Sequence, residues 1–383
     1  MKPYLATDLK MMNRQNVYRL LEQKNELSRA EISRITNISM PTVMKIVAHF
    51  LETGIVTEAG DGVTAMGRKP QMLRFEPSAY YSVGVEYEGD YLRAGMVDLR
   101  GGIALVLQER VMGRFREVMT HQLLSLVEKV IAQSGVERSR IAGVGMGVPA
   151  IVDVEKVTVS AAPAVGILED IDCKPILAGL SERLKLPMYL ENDTNAAALG
   201  EYATGLHDAG TDLLYVSLGT GLGAGLIVQG RLCRGRQNFG GEIGFMVFDR
   251  DFETDPARRG WLENRVSLQT LCGKYPFFAR LAEGKACAQE GEETLRALTD
   301  EVGGYLALAI ANINCLLDLD TVVLGGYTAR LLGERLTDAV NRYLARLSSC
   351  HLVCKPQLCT EPSIAGAALL ATEQKLQALF SDG

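Results

Sequence analysis

The sequence predicts an α/β protein in two unlike parts: a winged helix-turn-helix head at residues 1–76 and a two-lobed α/β body at residues 77–383. Three observations carry this. Residues 1–75 hold 11 Lys/Arg against 7 Asp/Glu, a net of +4, which leaves 29 against 39 in the remainder of a chain of net charge -6. A capped helix-turn-helix pattern is followed at once by strand, turn-rich loop and strand. From about residue 80, short β-branched strands alternate with Gly-rich turns and helical stretches, the pattern of α/β architecture. A chain of 383 residues, 47% hydrophobic, can build two or three cores, which excludes a disordered protein. Its acidic total excludes a general nucleic-acid coat.

In the head, Val17, Leu20 and Leu21 recur at helical spacing within residues 13–24. Ser28, followed three residues later by Glu31, makes a capping box for a short second helix expected to bury Ala30, Ile32 and Ile35. After the turn Thr36-Asn37-Ile38, Ser39 is placed to cap a third helix with Val43, Ile46, Val47, Phe50 and Leu51 on one face and Gly54 as its stop. Ser39, Met40, Thr42 and Lys45 then stand near its N-terminus, where they can meet base edges and phosphates of a DNA major groove. Helical hairpins in other small domains share the first part of this pattern. The strands at 55–58 and 71–75 add a wing, and its loop carries Gly67-Arg68-Lys69-Pro70. Arg68 and Lys69 suit a narrow A/T minor groove, where the negative potential is strongest.

In the body, strands at 82–86, 92–98 and 103–108 read as neighbours, and one at 143–148 leads into Gly147-Val148-Pro149. A strand at 188–190 ends in Glu191-Asn192-Asp193, with a helix over 194–202. Ligands of open α/β sheets gather at the C-terminal strand ends, so Asn192 and Asp193 are candidate site residues, although an Asp there also serves as a plain helix cap. In the second lobe a strand at 213–218 runs into Gly219-Thr220-Gly221-Leu222-Gly223-Ala224-Gly225. Such small residues let backbone N–H groups and the Thr hydroxyl approach phosphate oxygens. The run lacks the Lys of a P-loop, and strand interiors and hairpin turns use Gly too. An apolar helix at 308–317 precedes a buried strand at 321–324 ending in Gly325-Gly326, a pair that lets a flat purine or ribose lie against backbone.

The first ten residues lack the apolar core of a signal peptide, and no apolar run reaches the roughly 18 residues of a membrane span, so a cytoplasmic protein with no membrane partner is expected. Eight cysteines in so long a chain are no disulfide framework. Cys350, Cys354 and Cys359 beside His351 match no standard zinc spacing, and buried packing is the better reading.

In their order along nearly the whole chain, these motifs resemble the ROK family of bacterial repressors, open reading frames and sugar kinases. The resemblance rests on the winged helix with its GRKP wing, Gly145-Met146-Gly147-Val148-Pro149, the run from Asn192 to Glu201, GTGLGAG, Gly240-Gly241-Glu242-Ile243-Gly244 and VVLGG at 322–326. It implies a two-lobed actin-like, ribonuclease H-like sugar kinase fold, with lobe one at about 77–195 plus the C-terminal helix and lobe two at about 196–365. It also implies that Asn192, Asp193, Glu242 and Glu263 hold sugar hydroxyls. Asp193 would be the base of a kinase, and Gly219, Thr220, Gly221, Gly223, Gly325 and Gly326 a weak or vestigial nucleotide site.

The departures point away from catalysis. Family kinases carry a DxGGT phosphate loop where this chain has Glu86-Tyr87-Glu88-Gly89-Asp90. A carboxylate about 4 Å from a phosphate charge costs about 4 kcal/mol per unit charge at intermediate dielectric. The family's zinc-binding His falls at Phe245, and its three Cys at Thr254, Pro256 and Trp261, so no zinc is expected and Phe245 should give an apolar contact. The resemblance therefore implies a sugar-responsive repressor of operator DNA, a homodimer or higher homo-oligomer, that needs no cofactor. The alternative is an active sugar kinase using ATP and Mg²⁺.

Overall fold

The computed structural model describes residues 6–61, 71–88, 90–162, 166–204, 210–250, 252, 260–347 and 352–381. Arg68 and Lys69 of the wing lie outside the described residues, as do Thr254, Pro256, Cys350 and His351.

The head is built from α1 (Ala6–Lys24), β1 (Glu26–Ser28), α2 (Arg29–Thr36), α3 (Met40–Glu52), β2 (Val56–Asp61) and β3 (Gln71–Phe75). Its strands form an antiparallel sheet in the order β1-β3-β2. At three residues β1 is too short to show alternation, and the sequence pattern misses it. The capping box of α2 is present: Glu31 N donates to Ser28 Oγ at 3.3 Å and Ser28 N to Glu31 Oε2 at 2.8 Å. Two expectations fail. Ala30 and Ile35 are exposed, because an eight-residue helix turns one narrow stripe inward and Ile32 occupies it, with Leu27 and Ile38 buried on either side. Ser39 does not cap α3 through its side chain; its hydroxyl pairs with Thr42 Oγ1 at 2.9 Å. Pro41 in the first turn already removes one of the N–H groups that a cap would satisfy. Val43, Ile46, Val47 and Phe50 are buried as expected, with Leu51 at the margin.

The first lobe contains β4 (Tyr81–Tyr87), β5 (Tyr91–Asp98), β6 (Ile103–Arg110), α4 (Leu123–Ser134), β7 (Ile141–Val148), α5 (Lys174–Leu184) and β8 (Met188–Asn192). The sheet order is β8-β7-β4-β5-β6, parallel from β8 to β4 and antiparallel beyond. Then α6 (Asp193–Thr204) leaves the end of β8. In the second lobe β9 (Leu213–Leu218), β10 (Leu222–Val228) and β11 (Arg231–Leu232) precede α7 (Glu292–Leu317), β12 (Thr321–Gly325) and β13 (Cys354–Pro356), giving the order β11-β10-β9-β12-β13. Each lobe has its own large apolar core. Among the described residues no helix is long and apolar enough to cross a membrane.

The last helix, α8 (Pro362–Ser381), ties these parts together. Its first half touches the body backbone to backbone: a Cβ on Gly366 would lie 1.7 Å from Ala196 O of α6, and one on Gly145 of β7 would lie 1.8 Å from Ala367 O. Its second half completes the core of the head, where Leu376, Leu379 and Phe380 are buried with Leu21, Phe50 and Phe75. The Phe380 ring lies 5.6 Å from Tyr18 and 6.1 Å from Phe50.

Candidate functional site

The walls of the site come from different sheets. Asn192 closes β8, and both ends of its amide are fixed: Asn195 N donates to Oδ1 at 2.9 Å, and Nδ2 donates to Ala150 O at 3.1 Å. The helix cap therefore falls to Asn192. Asp193 Oδ1 accepts from Thr194 N at 2.7 Å and from Thr194 Oγ1 at 3.3 Å. Across from them, the loop after β11 brings in Glu242, and Glu263 opens the short helix Glu263–Val266. Leu222 N donates to Glu263 Oε2 at 3.3 Å.

These carboxylates feel one another. Burial, then the charges of Asp193 and Glu263, push Glu242 up to about 7. Burial pushes Asp193 up to about 6 against the opposing bonds from Thr194, and the charge of Glu88 adds to the rise. The fold thus brings together the four residues nominated from the sequence. Asn192 and Glu242 line a small cleft with Thr194, Asn195 and Asn238.

Sequence reasoning missed a buried ion pair beside the cleft. Glu191, its side chain 1% exposed, receives Arg234 Nε at 2.7 Å and Nη2 at 2.5 Å on Oε2. Its Oε1 accepts from Asn192 N at 3.0 Å and Asn195 Nδ2 at 3.1 Å. Arg234 follows β11 by two residues, so the pair fastens the loop of the second lobe to the edge strand of the first. The signal was a Glu next to the apolar Leu190 in a strand, which demands a cation once it is buried; nothing in the sequence says which. Asn238, left-handed at φ 56°, was also missed.

The residues nominated for nucleotide lie in turns, strands and strand ends. The turn from β4 to β5 exposes Glu88 and Asp90. Burial and the charge of Glu88 push Glu86 up to about 7, although Arg93 Nη1 donates to its Oε2 at 3.1 Å. Gly219, Thr220 and Gly221 form the hairpin turn between β9 and β10, with Thr220 exposed. The other glycines are accounted for by packing. A Cβ on Gly223 would lie 3.1 Å from Thr194 Oγ1, and one on Gly325 2.1 Å from the Tyr215 hydroxyl; Gly326 has φ +85°.

Where the family's zinc ligands would stand, Phe245 and Trp261 are aromatic packing positions. Phe245 is 44% exposed, its ring 5.5 Å from that of Phe239 and tilted 47° to it. Trp261 packs 5.7 Å from Phe248 beneath the Arg265 guanidinium, 3.3 Å away.

Known proteins with these features agree on the fold. The profile described as "ROK family" matches residues 82–374. The xylose repressor of Caldicellulosiruptor bescii is 26% identical over 358 residues, covering 88% of this chain and 89% of that protein. A solved ROK family transcriptional regulator, described as a homolog of the E. coli MLC protein, aligns with TM-score 0.76 and 20% identity over 98% of this chain and 100% of its own. A ROK family glucokinase from Streptomyces griseus, solved with glucose and AMPPNP, aligns with TM-score 0.63 and 23% identity over 76% of this chain and 99% of its own. The kinase matches three quarters of the chain and the regulator nearly all of it. With its profile match spanning both lobes, the chain belongs to the ROK family.

Proposed function

We propose that this chain is a sugar-responsive transcription repressor, in which residues 1–76 bind operator DNA within a homodimer and residues 77–383 bind a sugar. The single observation that carries the reading is α8. Its first half lies on α6, which begins at Asp193, and its last turn sits in the core of the head. A sugar that draws Glu242 and Glu263 toward Asn192 and Asp193 therefore acts on the elements that seat the head. Its effect is set by the difference in its affinity for the two arrangements.

A carboxamide and three carboxylates supply directional acceptors for a ring of hydroxyls. A relative aligned over most of both chains is named a xylose repressor, so xylose leads the candidates. On the DNA side, Ser39, Met40 and Lys45 are exposed along the start of α3 with Thr42 partly so, and Arg68 and Lys69 are proposed to enter the minor groove from the wing. No cofactor is needed in this reading.

Asp193 favours the second reading, a sugar kinase, since a carboxyl pushed up to about 6 can take a hydroxyl proton. The charge of Glu88 within reach of Asp193 speaks against a nucleoside triphosphate beside it. Incubation with ATP, Mg²⁺ and a sugar panel decides between them. The repressor reading expects sugar binding by thermal shift, lost in Glu242→Ala, and no ADP. ADP at ordinary kinase rates, abolished by Asp193→Asn, would establish the kinase.

A further inference from the structure

We propose that Met40 and Met44 of α3 read thymine 5-methyl groups in the major groove, so that operator sequence is recognised there by apolar contact. This rests on the operator-binding reading of the head. Met40 is 39% and Met44 57% exposed, and Ala48 continues the same face one turn on. Residues at i, i+4 and i+8 form one stripe of a helix, and the opposite stripe, Val43, Ile46, Val47 and Phe50, is already spent in the core of the head. No described residue of this chain covers the outer stripe.

The polar inventory of the same face is meagre. Residues 39–48 contain no Arg, Asn or Gln, so α3 carries no bidentate reader of adenine there, and Lys45 is the one cation among them that can reach guanine. They contain no Asp or Glu either, so no acceptor for the cytosine amino group. The Ser39 and Thr42 hydroxyls are joined to each other at 2.9 Å. The next polar side chain, His49, turns inward, its Nε2 2.9 Å from Leu379 O. Lys45 is a flexible point charge that serves a phosphate or a guanine edge. Among base edges in the major groove, only thymine presents a methyl group. Methionine, unbranched and polarizable, adapts to such a surface better than a rigid side chain. A helix in reading position with two exposed thioethers and no Arg, Asn or Gln fits a thymine-bearing duplex.

The test separates this inference from its foundation. Duplexes bound by the full-length chain are selected from a random pool, and each thymine of the best one is replaced by uracil, which removes the methyl and leaves every hydrogen-bonding group. Loss of one contacted methyl should weaken binding about fourfold. That loss should vanish in Met44→Ala at the thymine Met44 touches and in Met40→Ala at the thymine Met40 touches, each variant there binding thymine and uracil duplexes alike. Both side chains are exposed, so unchanged thermal melting confirms that the variants fold. Uracil duplexes bound as tightly as thymine at every position, or a uracil penalty undiminished in both variants, would overturn the proposal. A pool yielding no duplex preferred over random sequence would instead remove the operator-binding reading, and this inference with it.

Discussion

Arg14, in the first helix of the chain, donates through Nη1 to the carbonyl of Phe380, in the last turn of the last, at 3.0 Å. The same nitrogen reaches Leu379 O at 3.1 Å, and His49 of α3 lies 2.9 Å from that carbonyl. The last carbonyls of a helix have no intrahelical partner and carry the negative end of its dipole, so a guanidinium only 7% exposed is well matched to them. The helix proposed to read DNA and the helix that packs on α6 thus meet at one carbonyl.

Arg14→Ala should detach the end of α8 from the head. Losing charge-assisted bonds to two carbonyls costs about 2 kcal/mol, read by chemical unfolding. The more telling readout is coupling. The variant should still bind sugar and DNA separately, with the sugar's effect on DNA affinity much reduced.

Gly366→Ala probes the other end of α8. Its new methyl would meet Ala196 O, a backbone atom that cannot swing aside. Overpacking of this kind costs about 3 kcal/mol or more and should lower the thermal midpoint sharply. Unchanged stability would contradict the α6–α8 contact.

Arg234→Ala would leave Glu191 buried without its cation, at a cost of about 3 kcal/mol. It should also weaken sugar binding, because the loop carrying Asn238 and Glu242 loses its anchor. Adding Glu191→Gln to that variant removes the stranded charge and should recover part of the stability, though not the sugar affinity.

The cleft carboxyls make a pH prediction of definite sign. Glu242 and Glu86 sit up at about 7 and Asp193 at about 6, so the folded chain holds protons that the unfolded chain releases near pH 4. The stability that these three groups contribute to the sugar-free protein therefore falls as pH rises from about 4 to about 7 and levels off above. Glu242→Gln should flatten part of that slope in thermal melts. Sugar hydroxyls donating to ionised carboxylates should bind more tightly toward pH 7.5 with release of protons, measurable by calorimetry in two buffers of different ionisation heat.

Local signals in the sequence were largely sufficient for the fold. The Ser28–Glu31 capping box, the apolar face of α3 and the runs at 82–86 and 321–324 lie where the pattern puts them, because each depends on neighbours within one turn or one strand. The failures have tertiary causes. Ile35 looks like a core residue until the short α2 leaves it no partner, and Ser39 looks like a cap until Pro41 and Thr42 change its options. Asn192 and Asp193 could be nominated from their place at a strand end and Glu242 and Glu263 only by resemblance, while the charge effects among the carboxylates depend on segments far apart in sequence. Glu191–Arg234 spans 43 positions, and Arg14–Phe380 spans 366. Contacts of that range leave no periodicity to read.

The central claim is that a sugar in the Asn192–Glu242 cleft alters DNA binding by the head. Its most direct test is the affinity of the full-length chain for its selected duplex, measured by fluorescence anisotropy with and without xylose and a panel of other monosaccharides. The account predicts that at least one sugar shifts that affinity severalfold, and that Glu242→Ala removes the shift while leaving sugar-free DNA binding intact. A sugar that binds the cleft at saturation yet leaves DNA affinity unchanged would contradict it.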